Sequence, residues 1–566
     1  MTNRFTDFLK TYDEEFGNAG KELLPLEMPE LTEELFAIYE NTGSRLEYEE
    51  VYFYRRKFLT VFAMLSIMHG KKEHFEKLEK IIDNICDEET WALPAHVDRS
   101  IDNWQITIDL FAAETAFSLA EIVCMLEKKL SAEVVSKARD EIHRRVLNPF
   151  MESEFPYAWW ETSKMNWCAV CCGSVGAAAI WLMQKETEKE KYIKVIDRIN
   201  KSILNYIDGF SSDGACLEGL GYYTYGMSFF VSYADLMYKL SVGKTNLFEH
   251  EKMKNIALFQ QKSFLSKKIS ISFSDCEHDE KYRVGLTAYL SKRYRGVRFP
   301  DYSLAAGLES DHCYRYIVLS RDYFWTKNYV GNSEGDVIWH TVLPDAQWSI
   351  CKSDNNCAMA AKGGHNDEPH NHNDVGSFLY ICDDEYILDD LGAGEYTKDY
   401  FGERRYDNLC CRSLGHNVQL IGGREQYAGV EYKASRFEAD GFGKTEMEIQ
   451  EAYGLGKEEK IKRTIGFKKE NGRCKVVDEF VISHNKVITE NLVTSHKPKI
   501  KDDGFVIASR KNVFEIKVKN GVDFEILKED YTDHFGVKKR AWFMQWRVEG
   551  NRSEMVIKKV MKEKRH

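Results

Sequence analysis

The hydrophobic rhythm of this chain changes once, near residue 340, and that change constrains its fold more than any other feature. Before it, FLTVFAMLSIMHG (58–70), IDLFAAETAFSLAEIVCMLEKKL (108–130), CGSVGAAAIWLM (172–183) and SFFVSYADLMYKLS (228–241) carry apolar residues at helical spacing. Loops rich in Asp, Gly, Pro and Ser interrupt them, as at 149–156 and 208–214. After it the apolar segments are short and alternating: NVQLIGG (417–423), KIKRTIGFKK (460–469), GRCKVVDEFVIS (472–483), NVFEIKVKNG (512–521) and EMVIKKVM (554–561). The first cadence predicts helical hairpins arranged in an (α/α) toroid, and the second predicts stacked antiparallel sheets of sandwich type. A chain of 566 residues has room for both. The expectation is a multidomain α+β protein with a helical domain over 1–335 and a β-sheet domain over 336–566. No low-complexity linker separates them at WTKNYVGNSEGDVIWH (325–340).

Composition narrows the partners. With 43% hydrophobic and 13% aromatic residues the chain can build large cores. A net charge of −12, from 78 basic and 90 acidic residues, argues against a nucleic-acid surface. The start, MTNRFTDFLKTYDEEF, has no apolar core of signal-peptide type, and the most apolar run, AVCCGSVGAAAIWLM (169–183), falls short of the roughly 20 residues of a bilayer span. No membrane partner is expected. Fourteen cysteines without regular spacing predict reduced thiols and a cytoplasmic location, with export the alternative if a leader precedes this sequence.

Chemistry concentrates in HNHNDVGSF (370–378). If extended, it turns His370, His372 and Asp374 to one face. A polar loop entering a strand is the plainer reading of the same residues. Asp390 in ILDDLGAGEY and His416 in RSLGHNVQLIGG extend the series. His372, Asp390 and His416 on neighbouring strands would give three protein ligands and one open position for a divalent metal, and two imidazoles with a carboxylate suit zinc, manganese or others. Asn166 precedes a helix rich in small residues and is either its N-cap or an amide donor to a substrate carboxyl group. Trp159, Trp160 and Trp167 offer stacking surface or core packing. EGLGYYTYG (218–226) supplies Glu218, Tyr222, Tyr223 and Tyr225, where a tyrosine facing a polar cleft carries protons once neighbouring positive charge lowers its pKa from about 10. Arg404, Arg405 and Arg412 present forks suited to carboxylates and sulfates, or form surface ion pairs. His96 is a further cleft candidate.

Taken together, WALPAHVDRS, IDLFAAETAFSLAEI, the NW pair at 166–167, EGLGYYTYG and the HNHNDVGSF…LDDLGAGEY…RSLGHNVQLIGGREQY block resemble the heparinase II/III-like polysaccharide lyases, which include heparin, chondroitin and oligoalginate lyases. The resemblance implies a toroid followed by antiparallel sheets, and cleavage of a uronic-acid-containing glycan by β-elimination. It gives Asn166, Tyr222 and His370 the catalytic roles, with Tyr223 the alternative tyrosine. It makes His372, Asp390 and His416 ligands of a zinc-type site, with manganese the second metal, that fixes the loop presenting His370; Asp389 is the fallback ligand if the strand register slips by one. Trp160, Trp167, Glu218, Tyr223 and Arg405 become candidates for binding an anionic oligo- or polysaccharide. One departure matters: Trp167 stands where several relatives carry a histidine, so a single tyrosine is expected to act as both base and acid. Glycosaminoglycans rank above alginate as substrate. A toroidal glycoside hydrolase using Asp213 and Glu218 is the second hypothesis, and a binding protein on the same scaffold the third. No oligomeric state follows from these residues.

Overall fold

The computed structural model describes residues 5–183, 189–327, 329, 339–483 and 486–560. The domain boundary expected at 335/336 lies outside them. The chain divides into two compact units: one comprises 1–210, 222–257 and 281–334, the other 211–221, 258–280 and 335–566. A single cut therefore does not describe the organisation, because two excursions from the helical half, 211–221 and 258–280, belong with the sheets.

The first unit is helical. Its long elements include Thr6–Leu23, Leu46–His69, Leu110–Met125, Asn166–Leu182, Leu220–Leu240 and Tyr316–Thr326. Local chemistry sets their ends. Asp109 accepts the Ala112 amide at 2.7 Å to start Leu110–Met125, and Gly70, in the left-handed region at φ 64°, closes Leu46–His69. Leu110–Met125 and Asn166–Leu182 are buried on nearly every side and pack against each other, which is why their apolar residues run around the whole helix. Small residues permit close approach: a Cβ on Gly173 would stand 3.2 Å from the Phe229 carbonyl oxygen. The first helix meets the last, where the Tyr12 hydroxyl donates to the Leu319 carbonyl at 2.8 Å, so the series of hairpins closes on itself.

The second unit contains a five-stranded, an eight-stranded and a four-stranded sheet, all antiparallel, and a two-stranded ribbon. Alternation holds along Lys460–Phe467, where Ile461, Arg463, Ile465 and Phe467 point inward. One core runs through all three large sheets and includes Tyr380, Met447, Ile465, Phe505, Phe514 and Trp546. NVQLIGG forms only a two-residue strand, Leu420–Ile421; ahead of it the Asn417 side-chain amide donates to the Phe378 and Asp389 carbonyls, and the Gln419 backbone carbonyl accepts the Tyr453 hydroxyl. Cys357 and Cys382, register partners on adjacent strands, form a disulfide, an exception to the reduced thiols expected; the other twelve cysteines form none. Among the described residues no helix is long and apolar enough to cross a membrane.

Candidate active site

Two strands of the five-stranded sheet, Phe378–Cys382 and Glu385–Leu388, form a hairpin through Asp383 and Asp384, both at positive φ (51° and 62°). The loop entering the first strand and the segment leaving the second therefore meet at one end of the sheet. That loop is not extended as expected. His370 is left-handed at φ 57°, and Asp374–Ser377 form a turn, because short polar side chains compete with a strand ladder for the backbone. Asp374 turns to the buried Lys362 ammonium at 2.9 Å and does not join His370 and His372. Asn417 locks the assembly: its amide donates to the carbonyls of Phe378 (2.7 Å) and Asp389 (2.8 Å) and accepts the Val493 amide at 2.7 Å.

His372, Asp390 and His416 come together at this end, fully buried, with ligand atoms all within 4.8 Å of one another. Their hydrogen bonds define which atoms face inward. His416 Nε2 donates to the Cys410 carbonyl at 2.9 Å, leaving Nδ1 against Asp390 Oδ2 at 3.2 Å. His372 Nε2 donates to Asp275 Oδ1 at 2.9 Å, and its buried Nδ1 has no hydrogen-bond partner among the described residues. Burial lowers the His372 pKa and outweighs the Asp275 contacts. For His416, burial is again the largest influence and acts downward, but the Asp390 carboxylate reverses it and the net shift is upward. Two inward nitrogens and a carboxylate, each imidazole already donating its other N–H, fit a divalent cation. Asp389 points elsewhere, to His278 Nε2 at 3.0 Å, so the alternate register is not used.

Beside this group, His370 Nδ1 lies 2.7 Å from Asp275 Oδ2, while its Nε2 lies 3.9 Å from Glu218 Oε2. Asp275 escaped the sequence reading. It also accepts from Tyr396 and Tyr400 and faces Arg405 at 3.5 Å. Burial would raise its pKa, yet the two histidines and Arg405 together hold it well below the usual carboxylate range. Gly392, at φ 67°, lets the turn after Asp390 press on the Cys276 carbonyl, where a Cβ would come within 2.8 Å. Arg405 donates to the carbonyls of Asn371 (2.9 Å) and Tyr400 (3.2 Å), bracing the histidine loop. Arg404 and Arg412 form ion pairs with Asp399 and Asp407, and with Glu425.

In the helical unit, Asn166 is fully buried as the first residue of its helix; Met165 occupies the N-cap, so the capping alternative does not hold. Tyr222 is half-buried, whereas Tyr223 is fully buried and edge-on to Phe210. Trp160 is 1% exposed and its indole N–H donates to Ile108, which commits it to packing and corrects its assignment to a binding surface. Trp167 stands edge-on to His96 and beside the exposed Trp159, with ring centroids 4.9 Å away in each case. His96 is paired with Asp109 at 2.7 Å.

No protein-family model and no curated protein matches the sequence. Solved structures do. Heparinase III aligns over 98% of this chain and 92% of its own, with TM-score 0.66 and 11% identity. A mutant of the heparan sulfate lyase HepC from Pedobacter heparinus aligns over 91% of this chain and 78% of its own, with TM-score 0.63 and 12% identity. The Streptomyces coelicolor A3 chondroitin AC lyase, solved in complex with chondroitin sulphate, aligns over 98% and 80%, with TM-score 0.52 and 10% identity. At such identities the likeness is one of architecture, and this chain has the heparinase-type polysaccharide-lyase fold, helices followed by antiparallel sheets.

Proposed function

We propose that this protein is a polysaccharide lyase that cleaves uronic-acid-containing glycans, glycosaminoglycan type first and oligoalginate second, by β-elimination. The observation that carries the proposal is an assembled histidine–carboxylate centre, around His370, in a fold shared nearly end to end with heparan sulfate and chondroitin lyases. The C5 proton of a uronate is too weakly acidic to leave unaided. Asn166 and His370 donate to the sugar carboxylate as it takes up negative charge, which stabilises the transition state more than the ground state. Tyr222, as phenolate, accepts the C5 proton. The C5–H electron pair forms the C4–C5 double bond, the C4–O4 bond breaks, and Tyr222 returns the proton to O4. Water is not consumed. Half-burial favours Tyr222 over the sealed Tyr223 for this work. A cation, zinc first and manganese second, held by His372, Asp390 and His416 would supply fixed positive charge that organises the loop presenting His370.

The hydrolase alternative needs a free acid pair. Asp213 instead accepts the amides of Ala215, Asp345 and Ala346 at 3.0, 2.8 and 3.2 Å, a loop anchor and not an acid in waiting. The test is incubation with a panel of uronate polymers and oligomers, followed by ultraviolet absorbance of a conjugated uronate. Rising absorbance supports the proposal. New reducing ends without absorbance would assign hydrolysis, and binding without either would leave only the scaffold.

A further inference from the structure

Asp275 lies on a segment that helical periodicity would not assign to any site, and its side chain meets residues of 370–405, about a hundred positions further along the sequence. Its side chain is fully buried. The two oxygens divide their work. Oδ2 takes the His370 Nδ1 hydrogen at 2.7 Å and the Tyr396 hydroxyl at 2.9 Å, with Arg405 at 3.5 Å. Oδ1 takes the His372 Nε2 hydrogen at 2.9 Å and the Tyr400 hydroxyl. Backbone on both sides of this junction is held in the left-handed region, at Ser274 (φ 62°) and His370 (φ 57°). Non-glycine residues adopt that conformation at a cost of order 1–3 kcal/mol and keep it only where the surroundings enforce it.

From this geometry we infer that Asp275 is a positioning residue that ties the metal-binding group to His370 through one carboxylate. On the Oδ1 side it fixes the His372 tautomer, so that Nδ1 is the atom offered to a cation. On the Oδ2 side it fixes the His370 ring, with Nε2 turned away from Asp275 and toward Glu218. Asp275 is thus an outer-sphere partner of the metal group and not a ligand. A competing arrangement exists, because Asp275, His372 and Cys411 also place ligand atoms within 4.8 Å of one another. In that arrangement Asp275 and Cys411 would bind the cation directly. The His370 half of the inference rests on the lyase reading; the metal half does not.

The experiment compares the full-length wild type with Asp275→Asn, Tyr396→Phe and Cys411→Ser. Zinc affinity is measured by competition with a chromogenic chelator, and kcat and KM with whichever uronate substrate the panel identifies. Asp275→Asn should weaken zinc binding by about 10–100-fold, the usual effect of losing an outer-shell partner. It should also lower kcat at least about 10-fold with KM little changed, the signature of a group that acts in the transition state. Tyr396→Phe, which removes a hydroxyl bonded to Oδ2 and keeps the ring, should lower kcat and leave zinc affinity at the wild-type value, as should Cys411→Ser for zinc. In the wild type itself, zinc addition should move the ¹⁵N resonance of His372 Nδ1 and leave the Nε2–H signal in place, a readout independent of how any variant folds. Unchanged zinc affinity in Asp275→Asn, equal loss in Asp275→Asn and Cys411→Ser, or zinc-induced movement of Nε2 would each overturn the inference. Wild type that turns over no uronate would refute the lyase reading while the zinc and ¹⁵N measurements still decide the role of Asp275.

Discussion

Arg463→Met would remove the cation at the heart of the second unit without emptying its space. Arg463 is fully buried in the strand Lys460–Phe467. It forks onto its cross-strand partner Asp478 at 2.8 and 3.0 Å, reaches Glu490 at 3.3 Å, and donates to the carbonyls of Gly376 (2.8 Å) and Asn417 (2.7 Å). Breaking one buried ion pair costs about 3–5 kcal/mol, and each stranded carbonyl about 1–3 kcal/mol. These losses share one side chain and are not additive, so the expected destabilisation is about 5 kcal/mol. The pH dependence has a definite sign. Burial, then Asp478, already push the Glu490 pKa well above the usual range, against the opposing pull of Arg463. An acid whose folded pKa is raised loses stability as pH rises from its unfolded value towards its folded one. Without Arg463 that loss grows, so the variant's deficit should be larger at pH 8 than at pH 5. Urea unfolding followed by near-ultraviolet circular dichroism at both pH values measures it. A loss under about 1 kcal/mol, or one equal at the two pH values, would refute the reasoning. The same variant should weaken metal binding, because Gly376 and Asn417 lie on the segments that carry His372 and His416.

Other outcomes follow from the same structure. His278, whose pKa burial lowers but Asp389 lifts to about 9, should stabilise the fold fully below pH 6.5 and lose that contribution as pH rises through 9; the wild-type advantage over His278→Gln should shrink by up to about 3 kcal/mol across that window in urea titrations. Tyr222→Phe should reduce turnover by about 10²-fold or more, the scale of one acid–base group, whereas Tyr223→Phe should stay active; the reverse pattern in initial-rate assays would move the role to Tyr223. Purified protein should carry one divalent cation per chain by elemental analysis. Chelation should lower its unfolding midpoint, and His416→Gln should show the lower midpoint with or without chelator.

Much of the architecture was legible because two periodicities differ so plainly. FLTVFAMLSIMHG and SFFVSYADLMYKLS sit in helices, and KIKRTIGFKK and GRCKVVDEFVIS in strands, where their spacing puts them. The metal-type group was legible too: Asp390 and His416 are brought to His372 because the loop entering Phe378–Cys382 and the segment leaving Glu385–Leu388 meet at one end of the hairpin, and Asn417 ties the His416 segment to both. Asp275 was not, since its partners are 95 and 97 residues away and spacing carries no information at that range. A signal did exist in ISISFSD (269–275), strict alternation inside a helical half, and this segment belongs to the sheet unit. Trp160 was misjudged because an aromatic residue beside a loop reads alike whether it faces solvent or core. Its neighbour Trp159 is the exposed one. The extended reading of 370–378 failed because Gly376 at φ 88° and the Asn and Asp side chains favour a turn over a ladder.

The central claim is elimination, and mass spectrometry of the two fragments from a defined uronate oligosaccharide tests it most directly. The masses should sum to that of the parent, one fragment bearing the unsaturated uronate. A sum larger by one water molecule would contradict the account.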